Sequence, residues 1–221
     1  MRLTIITLIL GLFALLALGA PSTPSLDAQS DEHSGMTVSD VYWKVQVTPG
    51  APVIILNGTV QSVYAQLLEL NPNYDADWNN TDVPFNLEEE EDYEDDEEET
   101  TDIDHHVPFN VKHTVDCKGP SGAARTKRIK EGINYLHKVK GQPCSPQTTC
   151  GRVSCSYKAA IKWCNWGKGE RCLPSFENIA QGASVIVNDC AGVHMDDKLV
   201  HGDLHQPDLW SVIVEKDDYK C

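Results

Sequence analysis

The chain has 221 residues, a formal net charge of −15 and eight cysteines. That length allows one domain or two small ones. The even cysteine count, with no Cys-x-x-Cys pair, favours disulfides over a zinc site.

The charge is uneven. Residues 21–106 hold 21 acidic residues and one lysine, Lys44, whereas residues 107–221 hold 16 Lys or Arg against 12 Asp or Glu. The acidity therefore describes the first half only. All the cysteines fall in the second half: Cys117, Cys144, Cys150, Cys155, Cys164, Cys172, Cys190 and Cys221. Eight cysteines allow about 105 pairings, and sequence does not choose among them.

Residues 1–20 read as a secretory signal peptide. Arg2 is the positive start, Leu3 to Leu18 is apolar, and Ala17-Leu18-Gly19-Ala20 supplies small residues for cleavage. A membrane anchor fits less well, because Gly-Ala-Pro follows without basic stop-transfer residues. No second apolar stretch follows, so the expected mature protein is secreted and extracellular, with no transmembrane segment.

Residues 21–82 form an N-terminal region, a candidate pro-segment. Its start, rich in Pro, Ser and Asp, is expected to be disordered. Val41 to Val47 and Val53 to Leu56 read as strands around Pro49-Gly50. Thr59 then caps a helix striped by Val60, Val63, Tyr64, Leu67 and Leu68. So small a strand–strand–helix unit has little core of its own and is expected to pack on the second half. Asn57 and Asn79 open N-glycosylation sequons.

Residues 83–106 read as an acidic, disordered linker, with eleven carboxylates in the twelve residues Glu88 to Glu99. No spacing there builds a calcium loop.

Residues 107–221 are the expected cysteine-rich domain. His113 to Cys117 reads as a strand, and Ala123 to Lys140 as a helix with Ile129, Ile133 and Leu136 inward and Gly141 as its stop. A loop, Gln142 to Gly151, leads to one long strand, Arg152 to Trp166, apolar at every second position from Val153 to Trp163. Ser175 caps a helix carrying Ile179, Ala183, Ile186 and Cys190. Lys198 to His201 and Trp210 to Glu215 complete the strands. The order predicts an α+β fold: a small disulfide-rich α/β sandwich, an antiparallel sheet with two helices on one face.

The segments Val115 to Gly119, Ile129 to Leu136, Cys150 to Tyr157, Ile179 to Cys190, and Trp210 to Val214 with Cys221 resemble small secreted cysteine-rich proteins of filamentous fungi. Their order also resembles the killer protein 4 toxins, a disulfide-linked α/β sandwich. The resemblance covers the last half of the chain. It implies a toxin or effector that acts on another cell and blocks calcium channels or growth. In those toxins a lysine just before a central cysteine on a strand is implicated; the matching position here, with the register shifted by one residue, is Arg152. The acidic linker and first half have no counterpart in the compact toxins.

No hydrolase elbow, zinc-protease motif or phosphate loop is present, so no catalytic residue, cofactor or metal ligand is assigned. His201 and His205 flank a glycine at Gly202, which argues against a helical metal pair. A small ribonuclease would draw on His113, His137, Glu131, Glu177 and Arg152. Trp163 and Trp166 suggest a glycan-binding module, although Trp163 sits in the apolar phase of the strand. The clearest signal is cationic. Lys127, Arg128 and Lys130 on the first helix, with Arg152, Lys158 and Lys162 on the polar phase of the strand, are the candidate binding residues. The expected partner is an anionic surface or a channel mouth on another cell, with the acidic linker as a candidate intramolecular partner.

Overall fold

The computed structural model describes residues 41–79, 112–193 and 198–218, and the backbone of a short strand, Thr37–Val38. The expected signal peptide, the expected acidic linker and Cys221 lie outside the described residues.

The element order is β1 (Thr37–Val38), β2 (Tyr42–Val45), β3 (Ile54–Asn57), α1 (Val60–Leu70), α2 (Tyr74–Asn79), β4 (Thr114–Cys117), β5 (Ala124–Arg125), α3 (Thr126–Lys138), β6 (Gly141–Ser145), β7 (Thr149–Ser156), β8 (Ala159–Asn165), β9 (Arg171–Cys172), α4 (Glu177–Cys190), β10 (Leu199–Val200), β11 (Gly202–Gln206) and β12 (Trp210–Lys216). Six strands form one sheet in the order β1-β7-β8-β12-β11-β4, four form a second, β3-β2-β6-β9, and β5 pairs with β10. All pairings are antiparallel except β1 with β7. The fold is α+β. Among the described residues no helix is long and apolar enough to cross a membrane.

The expected long strand from Arg152 is instead a hairpin. The chain reverses at Tyr157 and Lys158, both at positive φ (50° and 64°), so that Ser156 faces Ala159. A two-residue turn of this kind requires left-handed backbone and normally recruits Asn-Gly. Alternation ran through Tyr157-Lys158 unbroken, so the sequence carried no turn signal. A register shift between Arg152 and Ser154 then moves Ser154 opposite Ile161. Directly opposed residues share a face. Ser154 and Ile161 therefore lie on one side, and Arg152 with Lys162 and Cys150 with Cys164 on the other. Val153 is fully buried at the irregularity.

The expected helix from Ala123 starts later, because Ala124 and Arg125 are drawn into β5 by pairing with Val200 and Leu199. Gly141 does not merely stop that helix. It opens β6, where Val45 of β2 is its partner. A Cβ at Gly141, whose φ is +145°, would collide with the Lys44 carbonyl, so the close approach of the two strands requires glycine. Gly132 serves similarly: a Cβ there would strike Ser154, so α3 lies tight on the hairpin.

The strand–strand–helix unit at the N-terminus forms, and it is not a separate layer. β2 is inserted between β3 and β6, sharing its sheet with the second half. Trp43 stacks on Phe176 with ring centroids 4.7 Å apart and donates its indole N–H to the Gly58 carbonyl at 2.7 Å. Gln61 of α1 donates to the Ser154 hydroxyl at 2.7 Å. Tyr74, fully buried, accepts the Lys140 backbone N–H at 2.9 Å, and burial pushes its phenol up to about 12. The main core that results has Trp43, Trp163, Tyr74 and Phe176 among its largest members, and a small second cluster gathers Cys150, Cys164 and Ile213 under Trp166.

Three disulfides join Cys117 to Cys190, Cys144 to Cys172 and Cys150 to Cys164. Cys155 is also disulfide-bonded, through a bond outside the described residues. The first bridge ties β4 to α4 across 73 residues, which removes about 4 kcal/mol of unfolded-chain entropy in the loop-closure view. Ser175 takes its expected place before α4, accepting the Glu177 N–H at 3.1 Å, while Asn178 reciprocates on the Ser175 N–H at 3.2 Å.

Candidate binding site

The basic residues of α3 stand on the side opposite its apolar stripe. Ile129, Gly132, Ile133 and Leu136 are buried, whereas Lys127, Lys130 and Asn134 are exposed. That separation follows from the 3.6-residue repeat. The β5–β10 pair then brings a second wall. Leu199 lies opposite Arg125, and the Thr126 N–H donates to the Lys198 carbonyl at 2.9 Å. Together α3, β5 and β10 line a cleft of about 900 Å³, in which, among the described residues, Arg125, Lys127, Arg128, Lys130 and Lys198 meet one carboxylate, Glu131.

Arg128 is the fixed member of the group. One guanidinium nitrogen donates to both Glu131 carboxylate oxygens, at 2.8 and 3.1 Å. The guanidinium also lies over the Tyr157 ring, 3.9 Å from its centroid. Hydrogen bonds and cation–π contact on the same group lock its rotamer. Among the described residues, no ion pair engages Arg125, Lys127 or Lys130. Their positive field is therefore spent on no neighbour and projects into the cleft.

The hairpin cations are placed differently. Lys162 is only 4 % exposed, and its ammonium sits 2.6 Å from Glu215 and 3.7 Å from Asp217. Arg152 reaches Asp217 at 3.6 Å. Lys158, at the hairpin tip, pairs with Asp218 at 3.2 Å. Lys216, then Lys158, hold the Asp218 carboxyl below the usual range. Of the six candidate residues, Lys127, Arg128 and Lys130 thus share the cleft, while Arg152, Lys158 and Lys162 face carboxylates near the end of β12.

The histidines and tryptophans separate in the same way. His137 lies 2.6 Å from Glu177, joining α3 to α4. Of the five ribonuclease candidates His137 and Glu177 meet, whereas Glu131 pairs with Arg128 and Arg152 with Asp217. His205 is exposed on β11, and His201 meets the Gly119 carbonyl at 3.2 Å. Nearby, Lys118 bonds Asp116 and lies 3.5 Å from Asp203. Asp116 is held below, and Lys118 above, the ordinary range by that mutual bond. Trp163 is fully buried, and Trp166 is half-buried with its N–H donating to the Ser211 hydroxyl at 2.8 Å. Asn57 and Asn79 are exposed. Among the described residues the group spaced for a metal is Cys144, Glu170 and Cys172, and its two sulfurs are bonded to each other.

Lys198, Tyr157 and the carboxylates of Glu215 and Asp217 escaped the sequence reading. Lys198 joins the cleft only through the β5–β10 pairing, and Tyr157 reaches Arg128 only because the hairpin turns there. No family model matches the chain, and neither curated proteins nor solved structures yield a match.

Proposed function

We propose that the protein is a secreted binding protein of the killer-toxin-like or effector type, acting on another cell by engaging an anionic surface or channel mouth through the α3 cleft. The single observation that carries this reading is the convergence of Arg125, Lys127, Arg128, Lys130 and Lys198 in one concave site, with Glu131 as the one carboxylate among its described lining residues. Disulfides on every cysteine of the described residues are compatible with an oxidising compartment. The sandwich architecture belongs to the same reading. Its support is the packing of α3 against α4, of α3 on β7 and β8, and of α4 on β11 and β12.

The test is growth and calcium uptake of fungal and plant cells exposed to the full oxidised chain. Inhibition that weakens in Lys127→Glu/Lys130→Glu supports the reading. Inert protein at high concentration across both groups of cells removes it.

A second reading, a small hydrolase acting on RNA, has one observation in its favour: the exposed His137–Glu177 pair. Cleavage of RNA that disappears in His137→Ala would support it, and intact RNA would remove it.

A further inference from the structure

Tyr157 is 71 % exposed, although it is a large aromatic residue. Its backbone is also in the left-handed region, at φ 50°, where a bulky side chain is strained. Strain of this sort persists where the surrounding structure fixes it, and it concentrates at ligand-contacting positions. Here the β7–β8 hairpin turn fixes the backbone, and Arg128 packs on the ring. The guanidinium covers one face of the ring at 3.9 Å, and the exposure of the residue leaves the other face open. Arg128 in turn lines the cleft, so the ring stands at the lip of a groove walled by Arg125, Lys127, Lys130 and Lys198.

A cationic groove with an aromatic platform at its edge is the arrangement that holds unpaired nucleic acid: the cations follow the backbone and the ring stacks a base. Resting on the anion-binding role proposed for the cleft, we infer that its ligand is single-stranded nucleic acid. Phosphates lie along Arg125, Lys127 and Lys130, and one base stacks on the open face of Tyr157. A duplex hides the faces of its bases from such a platform. A membrane surface fits poorly, because the site is concave and Leu199 is its one apolar lining residue. Asn134, one turn along α3 from Lys130, offers an amide to base edges.

The experiment is fluorescence anisotropy of the full oxidised chain with labelled oligothymidine, oligouridine and an abasic strand of equal length, over a range of salt. Flotation with vesicles of phosphatidylcholine and phosphatidylserine runs alongside. Tyr157→Ala is expected to weaken binding of the two base-bearing strands by about ten-fold, leaving the abasic strand and the salt slope unchanged. Tyr157→Phe is expected to restore it. Lys127→Ala/Lys130→Ala is expected to flatten the slope of log K against log salt by about 1.4 on every strand. Both variants change exposed side chains, and an unchanged melting temperature verifies their fold. Equal binding by wild type and Tyr157→Ala overturns the inference. So does vesicle binding without strand binding; if that vesicle binding is sensitive to Lys127 and Lys130, the anionic cleft survives. Binding of strands and vesicles alike that ignores Lys127 and Lys130 overturns both.

Discussion

Two sets of cations on this chain have opposite fates. Those of α3 stand over a cleft whose described lining holds one carboxylate and five basic side chains, and those of the β7–β8 hairpin sit against Glu215, Asp217 and Asp218. In sequence they looked alike, as basic residues on the polar phase of an amphipathic element. The difference is burial and partnership. An ammonium as enclosed as that of Lys162 must be matched by carboxylates at close range, whereas a solvated lysine needs no match and keeps its field for a ligand. Lys162 and Arg152 serve the fold, Lys158 makes only a solvated pair, and Lys127 and Lys130 are available for binding.

Substitution tests that division. Lys162→Ala takes from Glu215 its buried ammonium, leaves Asp217 with Arg152, and is expected to cost about 3 kcal/mol in urea unfolding. A loss below about 1 kcal/mol would place Lys162 with the surface cations. Lys127→Ala and Lys130→Ala are expected to change stability by less than about 0.5 kcal/mol, because they break no pair in the fold. Their effect should appear instead as weaker binding to polyanions. Raising salt from 0.1 M to 1 M shortens the screening length from about 10 Å to about 3 Å. It should abolish binding at the cleft while the melting temperature barely moves.

The smallest effect concerns Asp218. Its folded-state carboxyl is depressed, first by Lys216 and then by Lys158, so its contribution is present above the unfolded carboxylate pKa of about 3.9 and is lost as pH falls through the lower folded value. The group is exposed, so solvent reduces the effect to a slight shift of the acid limb of the unfolding curve. Lys158→Ala should remove part of that shift, and with it part of the slight stability that is present at neutral pH and already lost in acid.

Helices were the legible part of the sequence. The stripes Val60-Val63-Tyr64-Leu67, Ile129-Ile133-Leu136 and Ile179-Ala183-Ile186-Cys190 are buried as their spacing implied. Local periodicity fixes a helix, because its hydrogen bonds close within a few residues. β6 was illegible for the converse reason. Gly141-Gln142-Pro143-Cys144-Ser145 has no alternation, and it is a strand because Tyr42 to Val45 arrives from the other half of the chain to pair with it. The hairpin failed differently: Tyr157-Lys158 looks nothing like a turn, and only the pairing of Ser156 with Ala159 reveals it. The site divided along the same line. Charge density singled out Lys127, Arg128 and Lys130, while Lys198 and Tyr157 entered through pairings distant in sequence.

The insertion of β2 between β3 and β6 has a consequence for proteolysis. The three disulfides with both ends described all begin at Cys117 or later, so none of them bridges the N-terminal strands to the rest. A protease that cut once between Asn79 and Lys112 would yield two polypeptides separable on a denaturing gel without reductant. In native buffer they would still migrate as one particle, because the β2–β6 ladder and the Trp43–Phe176 stack are non-covalent and internal. The protein would then be a split protein, with two fragments that complement each other and an affinity set by the core they share.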